Sequence, residues 1–431
     1  MKTKSILRIA ICLASIVMLL TTQLAAQDVR TYSLDSLQAY ARNRYLLTRQ
    51  LLLQSKYGAE AVRNVYASWL PGVKVNGTAT YQSEVTALNL PDNMPVKMEE
   101  GDKDQYKIGM ELSQLIFDGG VSDAFSRIEK LNSAIESEKI EAEMLRVETQ
   151  VNDLFEGVLV NVETRNILRY VEKDLRTRES NLNEAVNNGM ALKSTLLELR
   201  AEIAGIEQKQ TENLAQKRIL LAKLSLLTCE PLDTSVVLVL NPVLTASSGN
   251  DYSSRPEYRQ FNNQMALADW RLKQINRANM PKVMAFGNAY YGRPGYNMMK
   301  YDFRGYWMAG VGLSWNIGGW YTTSHQKRMA YLGKLMAENQ LALFTSNMKV
   351  QDEQYAIDKE KLVELIAKDT DIVAMRSEVS RSAAVQFENG SITLSDYVQK
   401  ITAEGQALVN LHIHEVQRNM LEAKYKSFLN R

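Results

Sequence analysis

Residues 118–189 read DGGVSDAFSRIEKLNSAIESEKIEAEMLRVETQVNDLFEGVLVNVETRNILRYVEKDLRTRESNLNEAVNNG, and no proline interrupts them or the residues beyond as far as Leu227. Proline in a helix interior costs about 3 kcal/mol, so a gap of this length marks uninterrupted helix. The stretch opens at Asp118-Gly119-Gly120 and is punctuated at Asn188-Gly189. It predicts one helix from Val121 to Asn188 and a shorter one returning from Leu192 to Leu227. In the first arm Leu168, Val171, Leu175, Arg178, Leu182 and Ala185 recur at alternating spacings of three and four, as do Leu196, Leu199, Ile203 and Ile206 in the second. That seam belongs to a helix lying almost parallel to a partner. At the α-helical rise the first arm is about 100 Å long, a rod rather than the core of a domain.

The pattern occurs twice. Asn188-Gly189 corresponds to Asn389-Gly390 and Leu112-Ser113 to Leu313-Ser314, and Trp69-Leu70-Pro71-Gly72-Val73 is echoed by Asn279-Met280-Pro281-Lys282-Val283. A second rod is expected from Tyr321 to Glu388, returning from Ile392 to Leu429. Such a duplication makes each copy one unit of a larger object. The chain divides on this reading into a leader at 1–26, a first repeat at 27–240 (helix, two strands, long helical hairpin), a linker at 241–255 and a second repeat at 256–431.

Composition narrows the function classes. Lys2, Lys4 and Arg8 account for three of the 51 basic residues, leaving 48 against 49 acidic ones in the rest of the chain, a balance without the concentrated basic face that nucleic acid demands. The basic start, the apolar run from Ile9 to Leu20 and the small residues Ala25-Ala26 have the form of a secretory signal; the run is shorter than the roughly 20 residues of a membrane anchor. After cleavage only Cys229 remains, so no intrachain disulfide forms. Of the three histidines, His412 and His414 stand two apart on a helix and face different ways, and no phosphate loop, nucleophile elbow or cysteine cluster occurs. The residues point away from an enzyme, with no cofactor and no metal site.

The remaining segments complete each repeat. Leu34–Ala67 is helical in pattern behind Ser33 as N-cap, and Pro256–Ala278 is its counterpart. Between them and the rods the period changes to two: Val73, Val75, Gly77, Ala79 and Tyr81 alternate with polar residues, then Ile108, Met110, Leu112 and Gln114, and in the second copy Val283 to Tyr291 and Trp307 to Trp315. Residues 82–105 and 292–306 read as loops. Four strands leave two bare edges, which vanish only on closure into a barrel, here by several chains. Strands of about 10 residues with one apolar face suit a bilayer, where closure is compulsory. Aromatic residues gather around them at Trp69, Tyr81, Tyr290, Tyr291, Trp307, Trp315, Trp320 and Tyr321, as at membrane interfaces; the strands alone equally allow an ordinary sandwich or hairpin core packing those rings, and the leader and the duplicated rods favour the barrel.

With these motifs in order the chain resembles the TolC-like outer-membrane efflux proteins (the outer membrane factors). The resemblance spans nearly the whole mature chain and rests on Trp69-Leu70-Pro71, on Leu115-Ile116-Phe117-Asp118-Gly119-Gly120, on Leu313-Ser314-Trp315-Asn316-Ile317-Gly318-Gly319 and on Phe387-Glu388-Asn389-Gly390. One departure is Asn43-Arg44, where the family usually has Asn-Pro; the proline is kept only at Pro256. The resemblance implies a mainly α protein with a membrane β part: a homotrimer whose 12-stranded β-barrel in outer-membrane lipid continues as an α-helical barrel through the periplasm of a Gram-negative bacterium. It implies a passive exit duct of a tripartite efflux or type I secretion system, partnered by a periplasmic adaptor protein and an inner-membrane pump of RND or ABC type. A periplasmic coiled-coil adaptor or scaffold is the alternative, although such proteins carry one helical hairpin flanked by compact β modules.

The same resemblance assigns site residues. The tips Asn188, Gly189, Met190 and Asn389, Gly390, Ser391 are where adaptors would dock, and Asp396 would form an acidic ring at the pore entrance, favouring cations. Gln399 stands where a second acid can occur, and Thr195 at the equivalent offset in the first hairpin. The residues themselves also allow a plainer reading: glycines at helix ends and an acid at a helix N-terminus. Asp118, Gly119, Gly120, Gly318 and Gly319 would turn the chain from barrel into helix.

Overall fold

The computed structural model describes residues 30–85, 102–240, 251–297 and 300–429. The leader at 1–26, most of the loop with Pro91 and Pro95, and residues 241–250 of the expected linker lie outside the described residues. In chain order the elements are β1 (Thr31–Ser33), α1 (Leu34–Arg44), α2 (Leu46–Ala67), β2 (Gly72–Tyr81), β3 (Asp104–Phe117), α3 (Val121–Asn187), α4 (Lys193–Thr228), β4 (Val237–Val239), α5 (Pro256–Ala278), β5 (Lys282–Arg293), β6 (Arg304–Ser314), α6 (Trp320–Glu388) and α7 (Leu394–Phe428), with a single 3-10 turn, Ile317–Gly319, before α6. The two proline-free stretches are thus helices of 67 and 69 residues. No helix among the described residues is long and apolar enough to cross a membrane.

Two compact units are present, one built from the described residues within 1–48, 144–250 and 350–431, the other from those within 49–143 and 251–349. In the first, the core joins Leu37 and Ala41 of α1, Val151, Phe155 and Val158 of α3, Leu221 and Leu224 of α4, and Met420 and Ala423 of α7. Each large apolar side chain fully buried there contributes about 1.5–3 kcal/mol. Polar groups at its margin are satisfied: the Gln38 amide donates to Asn152 Oδ1 at 2.6 Å and to Ser427 Oγ at 3.1 Å, Arg42 pairs with Glu148 at 3.1 Å, and Lys424 with Asp153 and Glu156 at 2.7 and 2.6 Å. Tyr355 of α6 and Tyr425 of α7 stack at 3.8 Å, which fixes the end of α7.

Two features of this unit differ from the sequence expectation. The helix expected over 34–67 breaks at Tyr45, whose ψ of 153° is extended, although no proline stands there. The break is held instead by side chains: Thr48 Oγ1 donates to the Arg42 carbonyl at 2.5 Å, and Arg44 pairs with Glu230 at 2.5 Å while lying over the Tyr40 ring at 4.3 Å. Secondly, β1 pairs in parallel with β4, Tyr32 opposite Leu238, two strands of the first repeat that the sequence reading does not mark. Three-residue strands are too short to show a period of two.

The second unit carries a four-stranded antiparallel sheet in the order β2-β3-β5-β6. Its strands run longer than the alternation alone marked, β3 from Asp104 to Phe117, where the pairing with β5 shifts register between Leu115 and Phe117 as a bulge. Residues paired across the strands share a face, so the register sorts the side chains. One face gathers Val73, Val75, Tyr81, Ile108, Met110, Leu112, Tyr291, Trp307, Val311 and Leu313, all of them exposed; Trp307, Val311 and Val75 keep 78%, 69% and 68% of their surface. The opposite face is polar apart from Leu115, Met284, Phe286 and Met308 and the rings of Tyr290 and Tyr306. There Gly109 lets Tyr290 lie flat on the sheet, since a Cβ at 109 would fall 2.0 Å from Tyr290 Cδ1. Below the strands Ile128 and Ile135 of α3 pack on Leu267 of α5.

Candidate functional site

Both long helices end in the same way. At the first tip the Gly189 amide donates to the Val186 carbonyl at 3.1 Å and Met190 N to Ala185 O at 2.8 Å; at the second, Gly390 N reaches Phe387 O at 3.0 Å and Ser391 N reaches Gln386 O at 2.8 Å. These paired bonds satisfy the last carbonyls of the helix and require a left-handed residue, with φ of +71° at Gly189 and +68° at Gly390. A side chain at either position would carry strain, which explains why Asn-Gly recurs. Asn188, Met190, Asn389 and Ser391 are all exposed. Past the glycine the tips differ: Met190 and Leu192 point their apolar side chains into solvent, whereas Ile392 and Leu394 pack onto the helical seam.

Asp396 starts α7 in a capping box. Its carboxylate accepts from Thr393 N at 3.2 Å and from Thr393 Oγ1 at 2.6 Å, and its own amide donates back to Thr393 Oγ1 at 3.2 Å. The hydrogen bond from the Thr393 side chain, then that from its backbone, holds the Asp396 carboxyl below the usual aspartate range. A pKa depressed on folding contributes stability that is complete at neutral pH and is lost as pH falls through the lowered value. Gln399, one turn further, and the carboxylate of Asp396 are both exposed; Thr195 at the equivalent place in α4 is half-buried.

Beside these expected residues lies a cluster that no sequence motif announces. Tyr397 is 1% exposed and stacks on Phe387 at 5.3 Å, with ring planes 11° apart. Its hydroxyl donates to Asp174 on α3, and Arg178, one turn on, lies 5.6 Å from its ring centroid, 3.7 Å from Asp174 and in a salt bridge with Glu388 of α6. Burial, then the bond to Asp174, pushes the Tyr397 hydroxyl above its usual range; burial opposes the charge on Arg178, but Tyr397, Asp174 and Glu388 outweigh it and raise its pKa. Around this polar knot Val171, Leu175, Leu199, Ile203, Leu394 and Ile401 close an apolar seam that joins the first hairpin to the second. The signal in the sequence was Arg178 itself, a cation at a position of the seam where an apolar residue belongs.

The turns from strand to helix are also built by side chains. Asp118, buried, accepts from Gly120 N at 2.8 Å and Ser122 N at 2.6 Å and so caps α3, and Gly119 and Gly120 take φ of +71° and +81°. In the second copy Asn316 accepts from Gly319 N at 3.2 Å. One more residue separates the cap from the helix there, and Gly318 and Gly319 fold into the 3-10 turn instead of taking positive φ.

Comparison with known proteins places the fold. No family model and no curated relative matches the chain. Solved structures do: the CmeC outer membrane channel of Campylobacter jejuni, 16% identical, with a TM-score of 0.70 over 92% of this chain and 85% of that one; the outer membrane protein VceC of Vibrio cholerae, 13% identical, TM-score 0.71 over 92% and 95%; and the MtrE outer membrane channel of Neisseria gonorrhoeae in its open state, 15% identical, TM-score 0.68 over 92% and 88%. Two helical hairpins, two strand pairs and a chain length that nearly fills both partners of each comparison make the fold of this protein that of the outer-membrane channels.

Proposed function

We propose that this protein is one subunit of an outer-membrane exit duct, a passive conduit for substrates handed over by an inner-membrane transporter through a periplasmic adaptor. The observation that carries the reading is the sheet: ten large apolar side chains are exposed on one face, and β2 and β6 are each paired on one side only among the described residues. Neither an open edge of 10 residues nor such a face is stable in water, and in a bilayer an unpaired edge is excluded outright. Three copies would join β6 of one to β2 of the next and close 12 strands, continued by helices into the periplasm. The structural likeness to outer-membrane channels supports the same reading. The test is the mass of the processed chain by light scattering after membrane extraction. A trimer obtained only with detergent is expected; a monomer that stays in solution without detergent would return the chain to the adaptor or scaffold reading.

Within this duct the tips at Asn188–Met190 and Asn389–Ser391 are the adaptor-docking points, with Met190 and Leu192 supplying exposed apolar contact. Asp396, three times repeated, forms an acidic entrance ring, with Gln399 and Thr195 beside it; a ring of single acids favours cations only moderately. Asp396→Asn is expected to lower the cation preference of the assembled channel in planar bilayers, and an unchanged reversal potential would leave Asp396 as a helix cap alone.

A further inference from the structure

The polar face of the sheet is not evenly charged. By register it carries Lys74, Lys107, Lys282 and Arg304, against the single acid Glu111. Lys74 stands directly opposite Glu111 across β2 and β3, and the Tyr290 hydroxyl donates to the same carboxylate at 2.5 Å. Arg304 is paired with Asp302 at 3.0 Å. Two positive charges per copy are left over on the strands, Lys107 and Lys282, both exposed. Lys107 is not a free arm: its ammonium sits 3.6 Å from the centroid of the Tyr290 ring, which keeps the charge on the wall and leaves it undiminished.

We propose that the strand-built section of the conduit favours anions, and that the species it passes most readily carry net negative charge. The proposal rests on the duct reading, which turns this face inward. Three copies set six uncompensated ammonium groups around one lumen, and rings of Lys or Arg select anions as rings of acid select cations. Low-dielectric walls concentrate that field. Because Tyr290 anchors Lys107 with its ring and holds the Glu111 carboxylate, opposite Lys74, with its hydroxyl, the sign of the section is set by side chains fixed to the sheet.

The test is the reversal potential in a tenfold KCl gradient across a planar bilayer, read on the protein carrying Arg178→Ala and Asp396→Asn, which loosens the tip contacts and removes the tip acid. A chloride-to-potassium permeability ratio of about 3 or more is expected. Adding Lys107→Gln and Lys282→Gln should bring it to about 1, and Lys107→Gln alone to an intermediate value should the combined variant fail to trimerise. A ratio below 1 before the lysines are changed, or one that their removal leaves unaltered, overturns the proposal while the duct stands. A trimer that does not conduct at all overturns both.

Discussion

Replacing Tyr397 by alanine is expected to loosen the joint between the two hairpins more than any other single change near the tips. The side chain is almost wholly buried and central to the seam, and removing a buried aromatic costs about 3–5 kcal/mol. It would also strand Asp174, whose carboxylate would keep only Arg178, at 3.7 Å. Tyr397→Phe separates the two effects. It preserves the stack on Phe387 and deletes the hydroxyl, so the expected loss falls to about 1–2 kcal/mol, the worth of one hydrogen bond to a half-buried carboxylate that keeps Arg178 beside it. Urea unfolding of the two variants and of Asp174→Asn checks this, and the double variant Asp174→Asn with Tyr397→Phe should lose less than the sum of the singles, by about 0.5–3 kcal/mol, if the groups act as a pair. In the assembled duct the same variants are expected to raise conductance, because the knot ties one hairpin to the next. Equal stability of Tyr397→Ala and the parent would mean that the hairpins are held by the apolar seam alone.

How much of this is legible in the sequence depends on the range of each interaction. The long helices are legible because absence of proline over dozens of residues and a repeating seam are signals that accumulate; their observed ends, Asn187 and Glu388, lie within a residue of the Asn-Gly turns. The tips are legible because a left-handed helix end admits few residues besides glycine. The strand faces are legible from alternation, though not that β3 joins β5, which brings partners 179 residues apart, Glu111 and Tyr290, into contact. Tyr397 and Asp174, 223 residues apart, escape for the same reason: each lies in register with ordinary seam or surface positions of its own helix, and only tertiary packing turns them into a pair. The break at Tyr45 escapes for another. Proline is the local signal for such a break, and here a salt bridge to Glu230 and a hydroxyl-to-carbonyl bond replace it. Asp396 shows the limit of reading a residue by its place. The capping box engages Oδ2 of its carboxylate at the start of α7 and leaves the group exposed, so position alone cannot separate a helix cap from a pore acid, and conductance can.

The strongest separation between a lipid-facing sheet and an ordinary one comes from placing the same charge on its two faces. Val311 and Asn288 lie near the middle of adjacent strands, and the register puts Val311 with the apolar set and Asn288 with the polar one, opposite Glu111 and Met308. In a bilayer, arginine on the outer face near the midplane costs about 2–4 kcal/mol per chain, and a trimer suffers it three times. Val311→Arg is therefore expected to abolish the trimer seen after detergent extraction, whereas Asn288→Arg leaves it intact, its guanidinium lying in water beside Glu111. The asymmetry is the informative quantity. In water an exposed valine exchanged for arginine is nearly neutral, so two variants that assemble equally well would take the sheet out of the membrane, and with it the closed barrel. Loss of assembly in Asn288→Arg alone would invert the faces and direct Lys107 and Lys282 into lipid, where uncompensated ammonium groups are excluded. Assembly that tolerates a charge at 288 and rejects one at 311 fits one arrangement, with the valines and Trp307 of the sheet turned outward to hydrocarbon and its lysines turned inward to water.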